Sequence, residues 1–156
     1  PEHGYVLGFE DDECINGAIL RIPKESDLLN WLLKAAYDPY FVPPWYSSSR
    51  QFRLKTKKIL GIGRSLADMP WGVIGPKAIT YYVKQLDLIK QVEPIDIFYP
   101  VHYLCVDQFC DPGLKVSDIT SSRTVCIHLY NERLKGNDFD QLDHRSVMYK
   151  LLRNEI

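Results

Sequence analysis

The sequence lacks the apolar run of roughly 18 residues that a membrane-spanning helix needs, and no signal peptide is recognisable at its start. It also lacks a surplus of charge, because 19 lysines and arginines stand against 20 aspartates and glutamates, for a net charge of -1. Proteins dedicated to binding nucleic acids usually carry a strong basic excess. The sequence therefore predicts neither a membrane span nor a nucleic-acid partner.

Cysteine is scarce as well. The four cysteines are too few and too scattered for a disulfide scaffold: Cys14, Cys105, Cys110 and Cys126. Cys105 and Cys110 are five positions apart, which does not match the usual spacing of zinc-binding pairs. We interpret the cysteines as small core residues, with one loop disulfide as the alternative.

What the chain does contain is typical of a soluble globular protein. Its 156 residues are 46% hydrophobic and 25% charged, which suits one domain or a large part of a bigger one. The first residue is Pro1 rather than methionine, so we expect a processed form or a fragment. Predicted strands and helices alternate without internal repeats, which favours a layered α/β architecture.

The first third of the chain predicts a strand followed by a helix. Asn16-Gly17 suits a turn, and Ala18 to Ile22 suits a buried strand. Ser26 is a good cap for a helix from Asp27 to about Tyr37. Its predicted apolar face has helical spacing: Leu28, Leu29, Leu32, Leu33 and Ala36.

Gly75-Pro76 predicts the start of a second helix, because proline suits the first helical position, where its missing amide is not needed. An apolar stripe follows at three- and four-residue spacing, and the helix is expected to end near Gln91: Ile79, Tyr82, Val83 and Leu86. The free amides of the first turn would suit a phosphate or a sugar hydroxyl. An ordinary buried helix start is the alternative.

The second half predicts two strands and a terminal helix. Residues 93–103 form an extended segment with two prolines, which favours a sheet edge. Thr124 to Leu129 is β-branched and apolar, as expected of a strand. The tail is polar from Gly136 and mildly helical from Ser146.

Two further stretches have both a plain and a functional interpretation. Residues 38–49 form a loop rich in proline and aromatic residues, which either packs or stacks on a sugar ring. A basic run lies on a predicted helix that ends near Gly61: Arg50, Arg53, Lys55, Lys57 and Lys58. We interpret that run as a solvated helix face, with a phosphate-binding patch as the alternative.

His128 is the sharpest single candidate for chemistry. It stands at the end of a predicted strand, and ligand sites in α/β proteins gather at strand ends. A neutral imidazole there could bind a divalent metal or contact a phosphate, whereas the plain alternative is a hydrogen-bonded structural histidine. His102 is interpreted as such a structural residue.

Acidic residues cluster at two places. The run Glu10, Asp11, Asp12 and Glu13 could bind a metal or a sugar, but acidic runs are usually solvated loops. Asp138 and Asp140 form an Asp-x-Asp, a pattern that can hold a divalent ion against a diphosphate. Because no strand leads into them, we interpret these two as solvated loop acids.

Four segments together resemble the catalytic region of family 32 glycosyltransferases. In chain order they are residues 16–20 (NGAIL), Gly75-Pro76 with Thr80, residues 98–103 (FYPVHY) and residues 128–132 (HLYNE). The same order is similar to the C-terminal region of the α-1,4-galactosyltransferases and α-1,4-N-acetylglucosaminyltransferases. The match runs from about Tyr5 to Glu132.

The resemblance implies a GT-A fold, which is a Rossmann-like α/β sandwich, of which this chain would be the C-terminal portion. It implies transfer of a sugar from a UDP- or GDP-sugar to a glycan or glycolipid acceptor, with retention of configuration and usually with Mn²⁺. By resemblance His128 would contact the metal and the diphosphate. Donor and acceptor contacts would come from Asn16, Gly17, Gly75, Pro76, Tyr130 and Asn131, and further acceptor contacts from Glu10, Asp11 and Asp12.

The chain departs from the family pattern in two ways. Tyr130 stands where the family's motif has tryptophan, which keeps an aromatic ring. The family's metal-binding Asp-x-Asp lies upstream of the segment that matches Tyr5, and this chain has no counterpart there. We therefore expect a fragment that is inactive alone, or else a non-catalytic sugar- or partner-binding remnant. The absent disulfide framework favours the cytoplasm, and the Golgi lumen is the alternative that eukaryotic relatives suggest.

Overall fold

The computed structural model describes residues 4–64, 68–70, 72–136 and 138–155. The chain forms two compact units, Pro1–Glu93 and Pro94–Ile156, called here the N-terminal and the C-terminal unit.

The described residues of the N-terminal unit combine a two-stranded sheet with three α-helices. Its elements are β1 (Val6–Phe9), β2 (Ile15–Arg21), α1 (Asp27–Tyr37), α2 (Ser48–Ile59), α3 (Pro76–Gln85) and a 3₁₀ turn at Ile89–Gln91. Helix α3 packs on both β2 and α1. The core between them is apolar: Leu7, Ile15, Leu28, Leu32, Ala78, Ile79, Val83 and Val92.

The two strands are antiparallel and irregular. β1 advances two residues from Val6 to Gly8 while β2 advances five, from Asn16 to Arg21. The Asn16 side chain accepts a hydrogen bond from the Ala18 amide at 2.8 Å, inside the strand. The predicted Asn16-Gly17 turn is therefore wrong as a connection, because its local bend is absorbed into β2 as a bulge.

Helix α1 begins as predicted. The Ser26 hydroxyl accepts a hydrogen bond from the Leu29 amide at 3.2 Å, which satisfies a first-turn donor. The predicted apolar face is wrong in part, since Leu33 is 43% exposed whereas Ala35 is 3% exposed. The buried stripe is Leu28, Leu32 and Ala35, and α3 is the element that covers it.

Helix α3 confirms the prediction at Gly75-Pro76, with Gly75 at the cap and Pro76 in the first turn. It ends at Gln85, before the predicted Gln91. Asp87 has a left-handed backbone with a φ of 53°, which breaks the helix before the 3₁₀ turn begins.

The C-terminal unit is built from short helices. They are α4 (Ile95–Phe98), α5 (Val116–Ile119), α6 (Asn131–Leu134) and α7 (Val147–Leu152), with 3₁₀ helices at Tyr103–Cys110 and Phe139–Gln141. Its core is Val101, Val106, Phe109, Leu134, Val147 and Met148. The terminal helix is confirmed, since Ser146 caps α7 through the Tyr149 amide.

Both strands predicted for the C-terminal unit are wrong. Glu93 forms a parallel bridge with Gly8 of β1, but Pro94 then precedes the helical turn α4 instead of continuing an edge strand. Residues 124–129 have no strand partner among the described residues, and the amides of Val125 and Cys126 both donate to the Ile97 carbonyl. A β-branched run makes a strand only when a neighbour supplies the ladder.

The cysteines are all free and half-buried, so the alternative of a loop disulfide is wrong. The described residues combine helices with one two-stranded sheet. A GT-A-like fold for this chain therefore stays a prediction.

Candidate functional site

Two of the four family-like segments come close in the N-terminal unit, where α3 packs on β2. We call residues 15–17, 79 and 80 the Asn16–Thr80 cluster. The Ile15 amide donates a hydrogen bond to Thr80 Oγ1 at 2.8 Å. A Cβ on Gly17 would lie 3.3 Å from Ile79 Cδ1, so glycine permits a close approach of β2 to α3. The strand and the first part of α3 are thus held together by a partly buried hydrogen bond and by close packing.

We expect Thr80→Val to lower the free energy of unfolding by about 1–3 kcal/mol, because the amide of fully buried Ile15 would lose its acceptor. Denaturant titration followed by tryptophan fluorescence measures this, since all three tryptophans lie in the N-terminal unit. Thr56→Val is the matched control, because Thr56 lies on an exposed helix face. Equal effects of the two substitutions would contradict a structural role for the Thr80 hydroxyl.

The start of α3 offers a ligand few free groups. Pro76 has no amide hydrogen, the Lys77 amide donates to the Gly72 carbonyl at 3.3 Å, and the Ile79 amide donates to the Gly75 carbonyl at 3.0 Å. Most of the first turn is therefore satisfied internally. A donor or acceptor contact at Gly75 and Pro76 stays a prediction.

The acidic run forms the loop between β1 and β2. The Asp11 carboxylate accepts hydrogen bonds from the amides of Glu13 at 2.8 Å and Cys14 at 2.7 Å, and Asp12 is exposed. The Asp11 carboxylate is used to close the loop, as expected of a solvated turn. Acceptor contacts from Glu10, Asp11 and Asp12 stay a prediction.

The other two family-like segments meet in the C-terminal unit, in what we call the His128 cluster (Tyr99, Tyr103, His128 and Tyr130). The Tyr99 ring meets the imidazole edge-on at 5.6 Å between centroids. Tyr130 lies 4.2 Å from the imidazole on the same measure, and Tyr103 lies 6.4 Å from Tyr130. The half-buried imidazole therefore packs against two aromatic rings, those of Tyr99 and Tyr130.

Burial lowers the pKa of His128, because a charged imidazole is poorly solvated among these rings. The ring is neutral at pH 7 and one of its nitrogens carries a lone pair. Within the described ranges neither nitrogen makes a hydrogen bond to the protein. This imidazole has the chemistry of a single metal or phosphate ligand.

The backbone just after His128 has an unusual conformation. Tyr130 has a left-handed conformation with a φ of 50°, which is uncommon for a bulky residue, and it places Asn131 at the first position of α6. Asn131 is exposed, so its carboxamide is accessible to a ligand. His102 instead accepts a hydrogen bond from the Leu104 amide at 3.2 Å, which agrees with its interpretation as structural.

A polar network that the sequence did not reveal holds the segment before His128. Arg123 binds both carboxylate oxygens of Asp96, at 2.8 and 3.1 Å. Ser121 Oγ donates to the same carboxylate at 2.9 Å, and Thr124 Oγ1 donates to the Asp96 carbonyl at 2.7 Å. The hydrogen bond from Ser121 is the main cause of a lowered pKa of Asp96, and Arg123 lowers that pKa further. Nothing local connects residues 27 positions apart, so no sequence signal could have identified this pair.

Asp138 and Asp140 are exposed, as the interpretation as loop acids requires. Asp138 accepts hydrogen bonds from the Asp140 amide at 3.1 Å and from the Gln141 side chain at 2.8 Å. Its carboxylate therefore caps the 3₁₀ turn that follows.

No group of three or more histidine, cysteine or acidic side chains in the described part of the chain is arranged to hold a metal ion. A metal contact at His128 therefore stays a prediction. Among the same residues no helix has the length and apolarity to cross a bilayer.

Comparisons of this chain with protein-family models, with curated proteins and with solved structures found no match. The similarity to family 32 glycosyltransferases accordingly stays a prediction that depends on the four segments.

Proposed function

We propose that this chain belongs to a retaining glycosyltransferase, which moves a sugar from a UDP- or GDP-sugar to a glycan or glycolipid acceptor. One observation carries the proposal. The four family-like segments, which are far apart in sequence, come together in pairs. Thr80 accepts a hydrogen bond from the amide of Ile15, the neighbour of Asn16, and the rings of Tyr99 and Tyr103 contact those of His128 and Tyr130. Such pairing is expected where the segments serve a shared site and is not required of unrelated loops.

His128 is assigned the contact to the metal and the diphosphate. Its pKa is lowered by burial, so protons compete weakly for the imidazole near neutral pH. A neutral imidazole is an acceptable ligand for Mn²⁺ beside oxygen donors. When bound, Mn²⁺ supplies positive charge against the departing diphosphate. The remaining ligands are assigned to an Asp-x-Asp outside these 156 residues.

The other assigned residues bind and orient the sugars. Asn16 and Gly17 lie on the irregular part of β2, where the bulge interrupts the ladder. Gly75 and Pro76 shape the turn before α3. Tyr130 offers an aromatic ring and Asn131 an exposed carboxamide, the two kinds of group that proteins use to contact sugars.

The test observes the His128 imidazole directly by NMR and does not require that the chain transfer a sugar. Mn²⁺ together with UDP or GDP is titrated into the whole chain, and the ring proton resonances of the histidines are recorded by NMR. We expect the paramagnetic ion to broaden the His128 resonance before those of His102 and the exposed His144. By calorimetry, His128→Ala should weaken metal-dependent nucleotide binding by about 10–100-fold.

His144→Ala is the matched control and should leave that binding unchanged, since His144 is 79% exposed. Equal broadening of all histidines, or equal affinity of both variants, would refute the assignment of His128. A chain that binds a glycan but shows no metal-dependent nucleotide affinity would instead be the non-catalytic sugar-binding remnant. Metal-dependent affinity lost in His128→Ala would justify assays of sugar transfer in a longer protein.

A further inference from the structure

Positive charge is concentrated in one part of the N-terminal unit. Residues 39–67 contain six lysines and arginines and no aspartate or glutamate. The remaining residues carry 13 basic and 20 acidic side chains, so they are strongly acidic. The near-zero net charge of the chain hides this separation.

Helix α2 exposes apolar side chains in the same region. Phe52 is 73% exposed and Ile59 is 85% exposed, and Leu60 and Ile62 just after the helix are 67% and 53% exposed. At about 100° per residue, Phe52, Thr56 and Ile59 lie on one side of the helix, which we call the α2 stripe. Leu54, the buried residue of α2, lies nearly opposite. The stripe therefore faces away from the core of its unit.

The cations of α2 flank this stripe. Lys55 lies on one side of the stripe and Arg53 on the other, with Lys57 and Lys58 farther round the helix. All are exposed. In the described part of the chain none of them forms an ion pair with a carboxylate. Their charge is available to an outside partner.

We propose that α2, with Leu60 and Ile62, docks on the surface of an anionic lipid bilayer. A helix that carries an exposed apolar stripe between rows of cations is typical of interfacial membrane binding. Phe52 and Ile59 enter the boundary between headgroups and acyl chains, while Arg53 and Lys55 contact lipid phosphates on either side. The proposal does not depend on the glycosyltransferase assignment, although a glycolipid acceptor would lie in such a surface.

Other occupants fit less well. A second copy of this chain placed on the same face would bring two unpaired sets of cations together, which opposes association. A nucleic acid would use the cations, and a base can stack on Phe52, but it would leave the aliphatic side chains of Ile59, Leu60 and Ile62 exposed. A bilayer uses both features at once.

The test is co-sedimentation of the whole chain with vesicles of phosphatidylcholine alone or with about a third phosphatidylglycerol. We expect binding to the anionic vesicles only, and we expect it to weaken in about 0.5 M salt. Arg53→Gln with Lys55→Gln should weaken binding by at least about tenfold, because each cation near an anionic surface contributes about fivefold. Phe52→Ser with Ile59→Ser should weaken it as much.

The matched controls remove exposed apolar side chains and exposed cations outside α2. Tyr37→Ser with Val125→Ser removes side chains that are 82% and 74% exposed, and Lys24→Gln with Lys34→Gln removes two exposed cations of the same unit. Both control pairs should bind anionic vesicles like the parent, with unchanged circular dichroism. No binding, equal binding to neutral vesicles, or equal losses in the controls would overturn the proposal. So would RNA binding that competes with the vesicles but survives Phe52→Ser with Ile59→Ser.

Discussion

Tyr99→Ala is expected to lower the free energy of unfolding of the C-terminal unit by about 3–5 kcal/mol, the range for truncating a buried aromatic ring. Tyr99 is 0% exposed and packs edge-on against both Phe98 and His128. Its removal leaves a cavity beside the imidazole. Denaturant titration by circular dichroism measures the loss, and amide hydrogen exchange of residues 94–156 locates it.

The same substitution should change the titration of His128. The Tyr99 ring contributes to the burial that lowers the pKa of His128, so its loss should raise that pKa toward the ordinary value near 6.5. NMR titration of the ring proton measures this shift. Val125→Ala is the control, since Val125 is 74% exposed and its truncation should change neither quantity. A loss of stability below about 1 kcal/mol would contradict the burial of Tyr99.

Leu28→Ala should destabilise the N-terminal unit by about 2–5 kcal/mol, whereas Leu33→Ala should cost about 1 kcal/mol or less. The two leucines share helix α1, but Leu28 is 0% exposed and Leu33 is 43% exposed. Leu28 packs in the core with Ala78, Ile79 and Val83 of α3, so its truncation leaves a cavity. Denaturant titration followed by tryptophan fluorescence compares the two variants.

Leu33→Ala serves as the internal control, because it removes the same atoms from the same helix and leaves helix propensity nearly unchanged. Similar losses in both variants would mean that α1 buries the broader face that its periodicity predicts. A large loss for Leu28→Ala alone would confirm the narrower face.

Helix starts were predictable from the sequence because their causes are local. Ser26 and Ser146 cap the helices that follow them through their own side chains, and Gly75-Pro76 begins α3. Each serine accepts a hydrogen bond from an amide of the first turn, three positions later. Pro76 has no amide hydrogen, so it leaves no first-turn donor without a partner. Such a rule needs no knowledge of the rest of the fold.

The strands of the second half were not predictable in the same way. The segment from Thr124 to Leu129 has strand-like composition, but the part of the chain that the structure describes supplies it no ladder. Its amides instead reach the Ile97 carbonyl. Strand formation depends on a partner that composition does not contain.

In the candidate site, too, some features follow from the sequence and others only from the tertiary structure. The sequence by itself determined the order of the four segments, the starts of α1, α3 and α7, and the clustering of charge, because these depend on neighbouring residues. Only the tertiary structure decided that Thr80 accepts from Ile15, which is 65 positions away, and that Tyr99 covers His128. It also decided that Ala35, not Leu33, is buried and that the α2 stripe is exposed. Burial and long-range hydrogen bonds depend on which elements pack together, and residue spacing along one element does not contain that information.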